Sequence, residues 1–396
     1  MGRERFVLRD EVFGGTLFDR SLLKHTFYTK AQLLLGKFQE RTEISNYEHW
    51  EAECVDIRLD VPYAPTRVYF EITTGCNLRC DHCFNSSGPV GPNEMDTDEV
   101  LKCLEGLRKD HVFDVRFSGG EVTTRKNWHV EVKHAKDIGL AVSINTNGVY
   151  KDPSVVDKMA EIQPNQVTIS IDGSREHHDK NRGKGTYDKS MTAMRALKEK
   201  GVVLRTNTVL TSLSIGDAED VIRNVGEYVD EMAFFHMRMT GRASNIQERM
   251  VGFLELFEFT EKMKKIQVKY PHIRIFFGER AIQENAVMPN EFGLKIGSPD
   301  GTTRMNLLAD GSVWAGGYTA YIDKGLKVGN LRNEGYSILD LWRNSPILEW
   351  YREFGRGFMM RCFDCGEFKK RCPGVNVEME LIRRVNPAVG NPNCIY

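Results

Sequence analysis

Residues 67–83 read RVYFEITTGCNLRCDHC and join a strand signal to a group of thiols. The aromatic and β-branched run at the start predicts a strand over residues 68–73. Cys76, Cys80 and Cys83 follow at once, with gaps of three and two residues between them. Parallel α/β folds collect their chemistry at the carboxyl ends of strands, so this order predicts a site at the end of a first parallel strand.

From about residue 67 to residue 238 the chain alternates short strand-like runs with longer amphipathic stretches. This alternation is typical of repeated βα units and predicts an α/β fold with a parallel sheet. The predicted strands are 68–73, 112–117, 141–146, 166–171, 202–210 and 232–237. The predicted helices are centred near 101–107, 129–138, 154–162, 189–200, 218–228 and 254–266. Eight units would close a barrel, so six predict a partial (β/α)6 barrel of the TIM-like kind, open to a large substrate.

Polar residues and glycines gather where the predicted strands end. They are Cys76 after the first strand, Gly119-Gly120-Glu121 after the second, Thr146-Asn147-Gly148 after the third and Asp172-Gly173 after the fourth. An ordinary turn explains each glycine alone, but it does not explain why polar residues share one rim. We therefore expect these segments to surround one site.

The 396-residue length exceeds the roughly 250–300 residues at which single cores stop growing. We expect three parts: 1–60, 61–270 and 271–396. The first is a small module with a hairpin of 6–9 and 16–19 around a Gly14-Gly15 turn, then a helix over 29–38. The second is the barrel. The third holds a hairpin of 305–308 and 313–315, a short helix near 338–342 and the late cysteines.

Composition argues against two classes of partner. The formal net charge is -1, which gives no global basic field for nucleic acid. No stretch approaches the roughly 20 apolar residues that span a bilayer, and no export signal is present, so we expect neither nucleic acid nor membrane as partner and a cytoplasmic location. In that reducing compartment, closely spaced thiols among the nine cysteines more often bind metal than form disulfides.

The early thiols suit an iron–sulfur cluster with an open position. A [4Fe-4S] cluster takes four ligands, so Cys76, Cys80 and Cys83 leave one iron free to bind a further molecule. The alternative is a zinc ion held by the three thiolates and completed by His82 or Asp81. Zinc sites more often show paired short gaps, and His82 is squeezed between two ligands, so we favour the cluster.

The same motif, C-x3-C-x-φ-C with His82 at φ, resembles the radical S-adenosylmethionine (radical SAM) superfamily over residues 67 to about 239. The resemblance implies a cluster that binds and reductively cleaves S-adenosylmethionine. It also implies a methionine-binding segment at the second strand end and ribose and carboxylate contacts at later ones. The cofactor-binding residues implied are His82, Ser118, Gly119, Gly120, Glu121, Thr146, Asn147, Ser170, Asp172, Arg182 and Asn207.

Four late cysteines could saturate a second site: Cys362, Cys365, Cys372 and Cys394. A four-thiolate zinc site fits their spacing, and so does a second [4Fe-4S] cluster. The region resembles the SPASM extension of radical SAM enzymes, which usually carries two auxiliary clusters. In the hairpin of residues 311–316, glycine stands where relatives carry a cysteine. Asn376 stands where another cysteine would follow Cys372, and the cysteine expected upstream of the hairpin is absent. The resemblance therefore implies one auxiliary cluster, or two [4Fe-4S] clusters in all.

The two remaining cysteines stand alone. Cys103 falls on the first predicted helix, where a small buried side chain is the ordinary interpretation. Cys54 is a weak candidate for a thiol that returns hydrogen to a substrate radical, since such a role needs an exposed, activated thiol. No acid or base is named by the sequence.

The substrate is indicated only by the amino-terminal module, whose residues 8–15 resemble the front half of peptide-recognition domains fused to peptide maturases. Such domains add a peptide to a free sheet edge; the alternative is a hairpin that only covers the barrel. Our leading hypothesis is a radical SAM maturase that abstracts hydrogen from a ribosomally made precursor peptide, with flavodoxin or ferredoxin as electron donor. The alternatives are a dehydrogenase or epimerase of a small metabolite, such as a sugar or cofactor precursor, and a non-catalytic iron–sulfur electron carrier.

Overall fold

The computed structural model describes residues 3–35, 46–52, 61–277, 300–363, 366 and 377–385. Its amino-terminal part is a four-stranded sheet of order β3-β2-β1-β4. The elements are β1 (Phe6–Glu11), β2 (Gly14–Asp19), β3 (Lys24–Thr29), α1 (Lys30–Leu34) and β4 (Glu48–Trp50). The predicted hairpin is confirmed as the antiparallel pair β1–β2. The helix begins as expected after Thr29, and residues 36–38 of its predicted range lie outside the described residues.

The predicted turn at Gly14-Gly15 is wrong. Gly14 pairs with Glu11, so both glycines belong to β2 and the loop consists of Val12 and Phe13. Glycine is required at position 14 by packing and not by a turn. A Cβ on Gly14 would lie 2.2 Å from the carbonyl oxygen of Tyr28 on β3. The close approach of β3 requires a residue without a side chain there.

The central sheet has ten strands in the described residues, in the order β11-β10-β9-β8-β7-β6-β5-β12-β13-β14. The strands are β5 (Arg67–Glu71), β6 (Asp114–Ser118), β7 (Ala141–Thr146), β8 (Gln166–Ser170), β9 (Leu204–Leu210), β10 (Glu231–His236), β11 (Arg274–Phe277), β12 (Arg304–Leu308), β13 (Ser312–Trp314) and β14 (Lys327–Asn330). All six predicted strands are confirmed, and each pairs in parallel with the next. In the described part of the chain β11 and β12 do not pair, so the sheet is an open barrel, as predicted.

Two strands outside the six predicted for the barrel extend the parallel sheet. β11 adds beyond β10, and β12 pairs in parallel with β5 on the other side. The predicted carboxyl-terminal hairpin is confirmed as β12–β13, but the sheet pairing of its first strand makes it part of the barrel wall. The sequence could not show this, because β12 lies more than 200 residues from β5.

Eleven further helices follow α1 in the described residues, and several of them pack apolar side chains on the outer face of the sheet. They are α2 (Thr97–Lys109), α3 (Trp128–Asp137), α4 (Val155–Ile162), α5 (Arg175–Arg182), α6 (Thr186–Glu199), α7 (Ala218–Val225), α8 (Phe253–Lys269), α9 (Thr319–Ile322), α10 (Leu339–Asn344), α11 (Pro346–Phe363) and α12 (Val377–Val385). α2 shows why they form here: Asp96 and Glu99 make a capping box, and an apolar face that includes Leu104 and Leu107 is buried. No helix of the described residues is long and apolar enough to cross a membrane.

The strands turn apolar side chains outward and polar side chains inward. On β5, Val68 and Phe70 are fully buried in the main core, whereas Arg67, Tyr69 and Glu71 line a cavity inside the sheet. A closed TIM barrel fills its interior with branched apolar residues. Here the lumen, meaning the space enclosed by the inner face of the sheet, is polar and hollow.

The amino-terminal sheet packs against the end of the barrel opposite the cysteines. The rings of Phe18 and Trp50 stack on Phe113, just before β6, with centroid distances of 5.0 and 5.2 Å. Arg67 at the start of β5 donates to the carbonyl of Leu23 at 2.8 Å. Because Leu23 and His25 also line the lumen, this sheet forms the lower wall of the cavity.

Candidate active site

The three early cysteines share one cavity of about 380 Å³ that runs through the lumen. Cys76, Cys80 and Cys83 lie at its upper end, above the carboxyl ends of the strands, as predicted. Cys80 is buried, and the other two are half-buried. The short spacing along the chain therefore brings the thiols together at the mouth of the barrel.

The loop that carries the thiols is fixed by hydrogen bonds from distant parts of the barrel. Its start is held by Cys76, whose backbone N–H donates to the carbonyl of Gly88 at 2.8 Å. Asp81 donates its backbone N–H to Asn181 on α5 at 3.0 Å. Arg242, which follows β10, donates from Nε to the carbonyl of Cys80 at 2.8 Å. Buried donors and acceptors satisfied in this way keep the loop in one conformation.

Two glycines permit this close packing. A Cβ on Gly241 (φ +59°) would lie 2.4 Å from the carbonyl oxygen of Phe84, next to the last thiol. A Cβ on Gly120 would lie 2.1 Å from the carbonyl oxygen of Gly75, just before the first thiol. The Gly-Gly segment predicted as a cofactor site thus also lets the end of β6 press against the cysteine loop.

The surroundings of the thiols determine how readily they lose their protons. Burial raises the pKa of Cys80 to about 11, while the nearby guanidinium of Arg182 lowers it. Thiolates bound to a metal lose this penalty, because the metal supplies the compensating charge. In the described residues no three His, Cys, Asp or Glu side chains converge on one point that could hold a single ion. A cubane does not require that convergence, since each thiolate binds a different iron.

His82 faces a buried ion pair. Its Nε2 lies 3.2 Å from a carboxylate oxygen of Asp172, and Arg182 donates from Nε to the same oxygen. Burial lowers the pKa of His82 to about 4, although Asp172 opposes this shift. The imidazole is therefore neutral at neutral pH. The three residues connect the cysteine loop, the end of β8 and α5.

Nine of the eleven predicted cofactor residues line the cavity. These are His82, Ser118, Gly119, Gly120, Thr146, Asn147, Ser170, Arg182 and Asn207. The other two stand behind it. Glu121 is fully buried and accepts from the hydroxyl of Thr146 at 2.8 Å and the backbone of Asn147 at 2.7 Å. Asp172 accepts from Arg182 and from the backbone of Val209. These two carboxylates position residues of the wall.

The cavity also contains buried polar atoms that have no hydrogen-bond partner within the described residues. They include Nδ1 of His82, Oδ1 of Asn145 and Oγ1 of Thr168, and all three residues line the lumen. Buried polar groups in proteins nearly always find a hydrogen-bond partner. Unpartnered acceptors and donors around a hollow site fit a polar ligand such as S-adenosylmethionine, whose adenine, ribose and amino-acid groups need such partners.

The later cysteines fall mostly on residues that are not described. Cys54, Cys365, Cys372 and Cys394 lie outside the described residues, and Cys362 falls within α11. The predicted hydrogen donor and the predicted auxiliary cluster therefore stay predictions. The expectation for Cys103 is confirmed, since it is fully buried on α2.

Comparisons with known proteins match this geometry. The family model described as "Radical SAM superfamily" matches residues 70–225, which include the cysteine loop and β6–β9. These residues form a radical SAM domain. The recognition made from the early cysteines is thereby confirmed, and the relatives are of the SPASM type that the late cysteines indicated.

Several named proteins are similar in sequence to this radical SAM chain. It is 27% identical to the mycofactocin maturase MftC of Mycolicibacterium smegmatis, over 77% of this chain and 76% of that protein. MftC of Mycobacterium ulcerans aligns over only 51% of its length. The AdoMet-dependent heme synthase of Methanosarcina barkeri is 26% identical, over 84% of this chain and 97% of that protein.

Among solved structures, Streptococcus suis SuiB bound to its precursor peptide SuiA superposes with a TM-score of 0.73 at 16% identity. The superposition covers 95% of each chain. At this identity the likeness shows the fold alone. The chain is thus a radical SAM enzyme with an open α/β barrel, and its substrate must be argued from its own residues.

The sequence reasoning missed the lower half of the lumen. Tyr69, Arg116, Arg205 and Arg304 line the cavity below the thiols and belong to four different strands. A signal existed within β5, because RVYFE alternates polar and apolar residues, which places Arg67, Tyr69 and Glu71 on one face. The pairing of β5 with β12, which adds Arg304 to the same face, had no local signal.

Proposed function

We propose that this radical SAM enzyme cleaves S-adenosylmethionine at a [4Fe-4S] cluster held by Cys76, Cys80 and Cys83, and modifies a ribosomally made precursor peptide. Bound there, the cluster supplies the electron that converts the cofactor into methionine and a 5′-deoxyadenosyl radical able to take hydrogen from a substrate. The observation that carries the proposal is the single cavity shared by the three thiols, nine predicted cofactor residues and an open polar lumen.

The residues of the site have different roles, which follow from their positions. The thiols hold the cluster, and Arg242 and Gly241 fix the loop on which they stand. Gly119 and Gly120 expose backbone beside the thiols, where the cofactor's amino-acid group would lie. Arg182, kept in place by Asp172, offers a positive charge to a carboxylate. Neutral His82 offers its ring and backbone to adenine.

The amino-terminal sheet supports a peptide as the substrate. Within the described residues β3 pairs only with β2, so its other edge is free to accept a further strand. His25 of β3 lines the lumen, so a peptide added to that edge would lie next to the lower end of the lumen. This sheet also covers the lower end of the barrel, and covering and recognition are compatible roles.

We further propose one auxiliary [4Fe-4S] cluster on Cys362, Cys365, Cys372 and Cys394, an electron donor such as flavodoxin or ferredoxin, and a cytoplasmic location. A cluster with four thiolates cannot bind S-adenosylmethionine and would pass electrons or stiffen its surroundings. Its support is the number of late cysteines and the SPASM type of the relatives. Anaerobic reconstitution should give about eight irons per chain; about four irons with one zinc would assign the late thiols to zinc.

The test of the peptide assignment uses a short peptide encoded beside this gene. With reductant and S-adenosylmethionine, we expect 5′-deoxyadenosine together with a mass change in the peptide. Hydrogen exchange should show protection of the amides of β3 on peptide binding, whereas β14, an edge strand of the central sheet, serves as the unprotected control. Formation of 5′-deoxyadenosine with no change in the peptide would contradict the peptide assignment.

A second candidate, a small metabolite as substrate, is favoured by one observation. The heme synthase of M. barkeri aligns over nearly its whole length with this chain. Turnover of a small carboxylated metabolite without any peptide would decide for this candidate.

A further inference from the structure

The lower half of the lumen holds more positive charge than the nearby carboxylates balance. We call Arg67, Arg116, Arg205 and Arg304, all of which line the cavity around Tyr69, the arginine floor. Among the described residues, the carboxylates in ion-pair contact with these guanidiniums are Asp114, which binds Arg67 at 2.8 Å, Asp300, which binds Arg304, and Glu231. Glu378 adds an electrostatic attraction to Arg304. Glu231 is shared, because it lies 3.6 Å from Arg205 and also binds Arg274.

Among the described residues, Arg116 has no carboxylate as an ion-pair partner. Its side chain is buried, and in the part of the chain that the structure describes no Asp or Glu oxygen lies within ion-pair distance. It donates from Nε to the hydroxyl of Ser143 at 3.0 Å and from Nη1 to the hydroxyl of Tyr69 at 3.4 Å. Neither partner is a carboxylate, and both Arg116 and Tyr69 line the cavity.

A buried guanidinium without a counter-charge is costly for a protein to keep. Moving an ion from water into a protein interior costs on the order of several kcal/mol even after the protein relaxes, unless an opposite charge offsets the cost. The cost is understandable if the counter-charge arrives with a ligand.

Tyr69 shows the same excess of positive charge. Burial alone would raise the pKa of Tyr69, but the guanidiniums of Arg116, Arg304, Arg67 and Arg205 outweigh burial and lower it to about 7. Glu71, the next inward residue of β5, is occupied above by Tyr321, Asn85 and Asn306.

We propose that the arginine floor binds a carboxylate of the substrate below the cofactor, with Arg116 as its principal donor. This inference rests on the proposed function and adds to it the chemical class of the group that enters the lumen. A carboxylate fits the planar, paired donors of a guanidinium. The group can be the side chain of an acidic residue or a free terminal carboxylate, since both present the same two oxygens.

The test follows Tyr69 in the reconstituted protein by NMR of 13Cζ-labelled tyrosine, which separates phenol from phenolate, with Tyr69→Phe for assignment. The probes are N-acetylglutamic acid α-amide, which carries a side-chain carboxylate, and N-acetylalanine, which carries a terminal one. Their neutral counterparts are N-acetylglutamine amide and N-acetylalanine amide. We expect at least one carboxylate probe to bind and to raise the titration midpoint of Tyr69, because the bound anion cancels part of the cationic field.

Variants assign the effect to the floor. Arg116→Gln should weaken binding of the carboxylate probe by about tenfold or more, because the substitution removes a charge-assisted hydrogen bond. Arg116→Lys should restore part of that affinity. Arg195→Gln, at an exposed position on α6, is the matched control and should leave binding unchanged. The carboxylate should bind equally well with S-adenosylmethionine present.

Three results would overturn the inference: no response of Tyr69 to either carboxylate, equal binding of the neutral probes, or competition by S-adenosylmethionine, which would assign the guanidiniums to the cofactor. Formation of 5′-deoxyadenosine in the same samples separates this outcome from failure of the proposed function. If the cofactor is cleaved but the carboxylate does not bind, only the inference falls.

Discussion

The two ends of the lumen differ in how their polar groups are held, although Nδ1 of His82 at the upper end also lacks a partner among the described residues. At the upper end, the cysteine loop is held by backbone and side-chain bonds from the loop after β7, from α5 and from Arg242 after β10. At the lower end, the hydrogen bonds that Arg116 makes within the described residues go to the hydroxyls of Ser143 and Tyr69. A satisfied network fixes one geometry, whereas an unsatisfied one is prepared for a ligand. The difference indicates a rim that positions the cluster and a floor that receives the substrate.

The largest effect should come from removing the thiols of the rim. With Cys76, Cys80 and Cys83 all changed to Ala, no 5′-deoxyadenosine should form, because the cluster is the site of electron entry. Iron should fall by about four per chain, which leaves the late cluster bound. Cys103→Ala is the control, since that thiol is buried in the outer core. Retained cleavage in the triple variant would contradict the assignment of the rim.

Breaking the ion pair behind the rim should lower stability strongly. Asp172→Asn leaves Arg182 buried without its partner, which costs about 3–5 kcal/mol of unfolding free energy. Urea unfolding of the metal-free protein measures this loss. Asp188→Asn, which breaks an exposed pair with Arg175, is the matched control and should change little. Equal losses in the two variants would contradict a special role for the buried pair.

The same pair predicts a pH dependence. Burial alone would raise the pKa of Asp172, but the guanidinium of Arg182 holds it well below its ordinary value. A depressed pKa stabilises the fold above the unfolded value of about 3.9, and the stabilisation is lost as the pH falls below it. The stability difference between the wild type and Asp172→Asn should therefore be constant from pH 7 to about pH 5 and shrink in more acidic solution. A difference that shrinks near neutral pH would be inconsistent with this sign.

A smaller effect should follow from crowding the cysteine loop. Gly241→Ala combines a positive φ with a Cβ 2.4 Å from Phe84, so we expect a loss of about 1–3 kcal/mol and reduced iron binding at the rim. Gly201→Ala has a positive φ but no atom within 4 Å of the added carbon, so it isolates the backbone strain. The iron content and the free energy of unfolding should differ between the Gly241→Ala and Gly201→Ala variants. Identical values would argue that packing on the cysteine loop is unimportant.

The smallest change in stability should occur at the floor. Arg116→Met replaces an uncompensated buried charge with an apolar chain of similar length, so the unfolding free energy should stay the same or rise by about 1–2 kcal/mol. Thermal unfolding without substrate measures the effect. A loss of about 2 kcal/mol or more would show that Arg116 supports the fold, and the contrast between rim and floor would then disappear.

Much of the rim could be predicted from the sequence, and little of the floor. The cysteine spacing, the Gly-Gly-Glu segment and the six strands are local patterns, and each is read within a few residues. The arginine floor joins residues of β5, β6, β9 and β12, whose proximity depends on strand order. The turn at Gly14-Gly15 was wrong for a related reason, because the contact that requires Gly14 comes from β3 and not from its neighbours in sequence.

The most direct test of the central claim is electron paramagnetic resonance of the reduced, reconstituted protein with and without S-adenosylmethionine. An iron with a free coordination position at Cys76, Cys80 and Cys83 predicts that the cofactor changes the spectrum, and that this change is absent when the three thiols are replaced. A spectrum that is identical with and without the cofactor, in protein that carries its full iron content, would contradict the account.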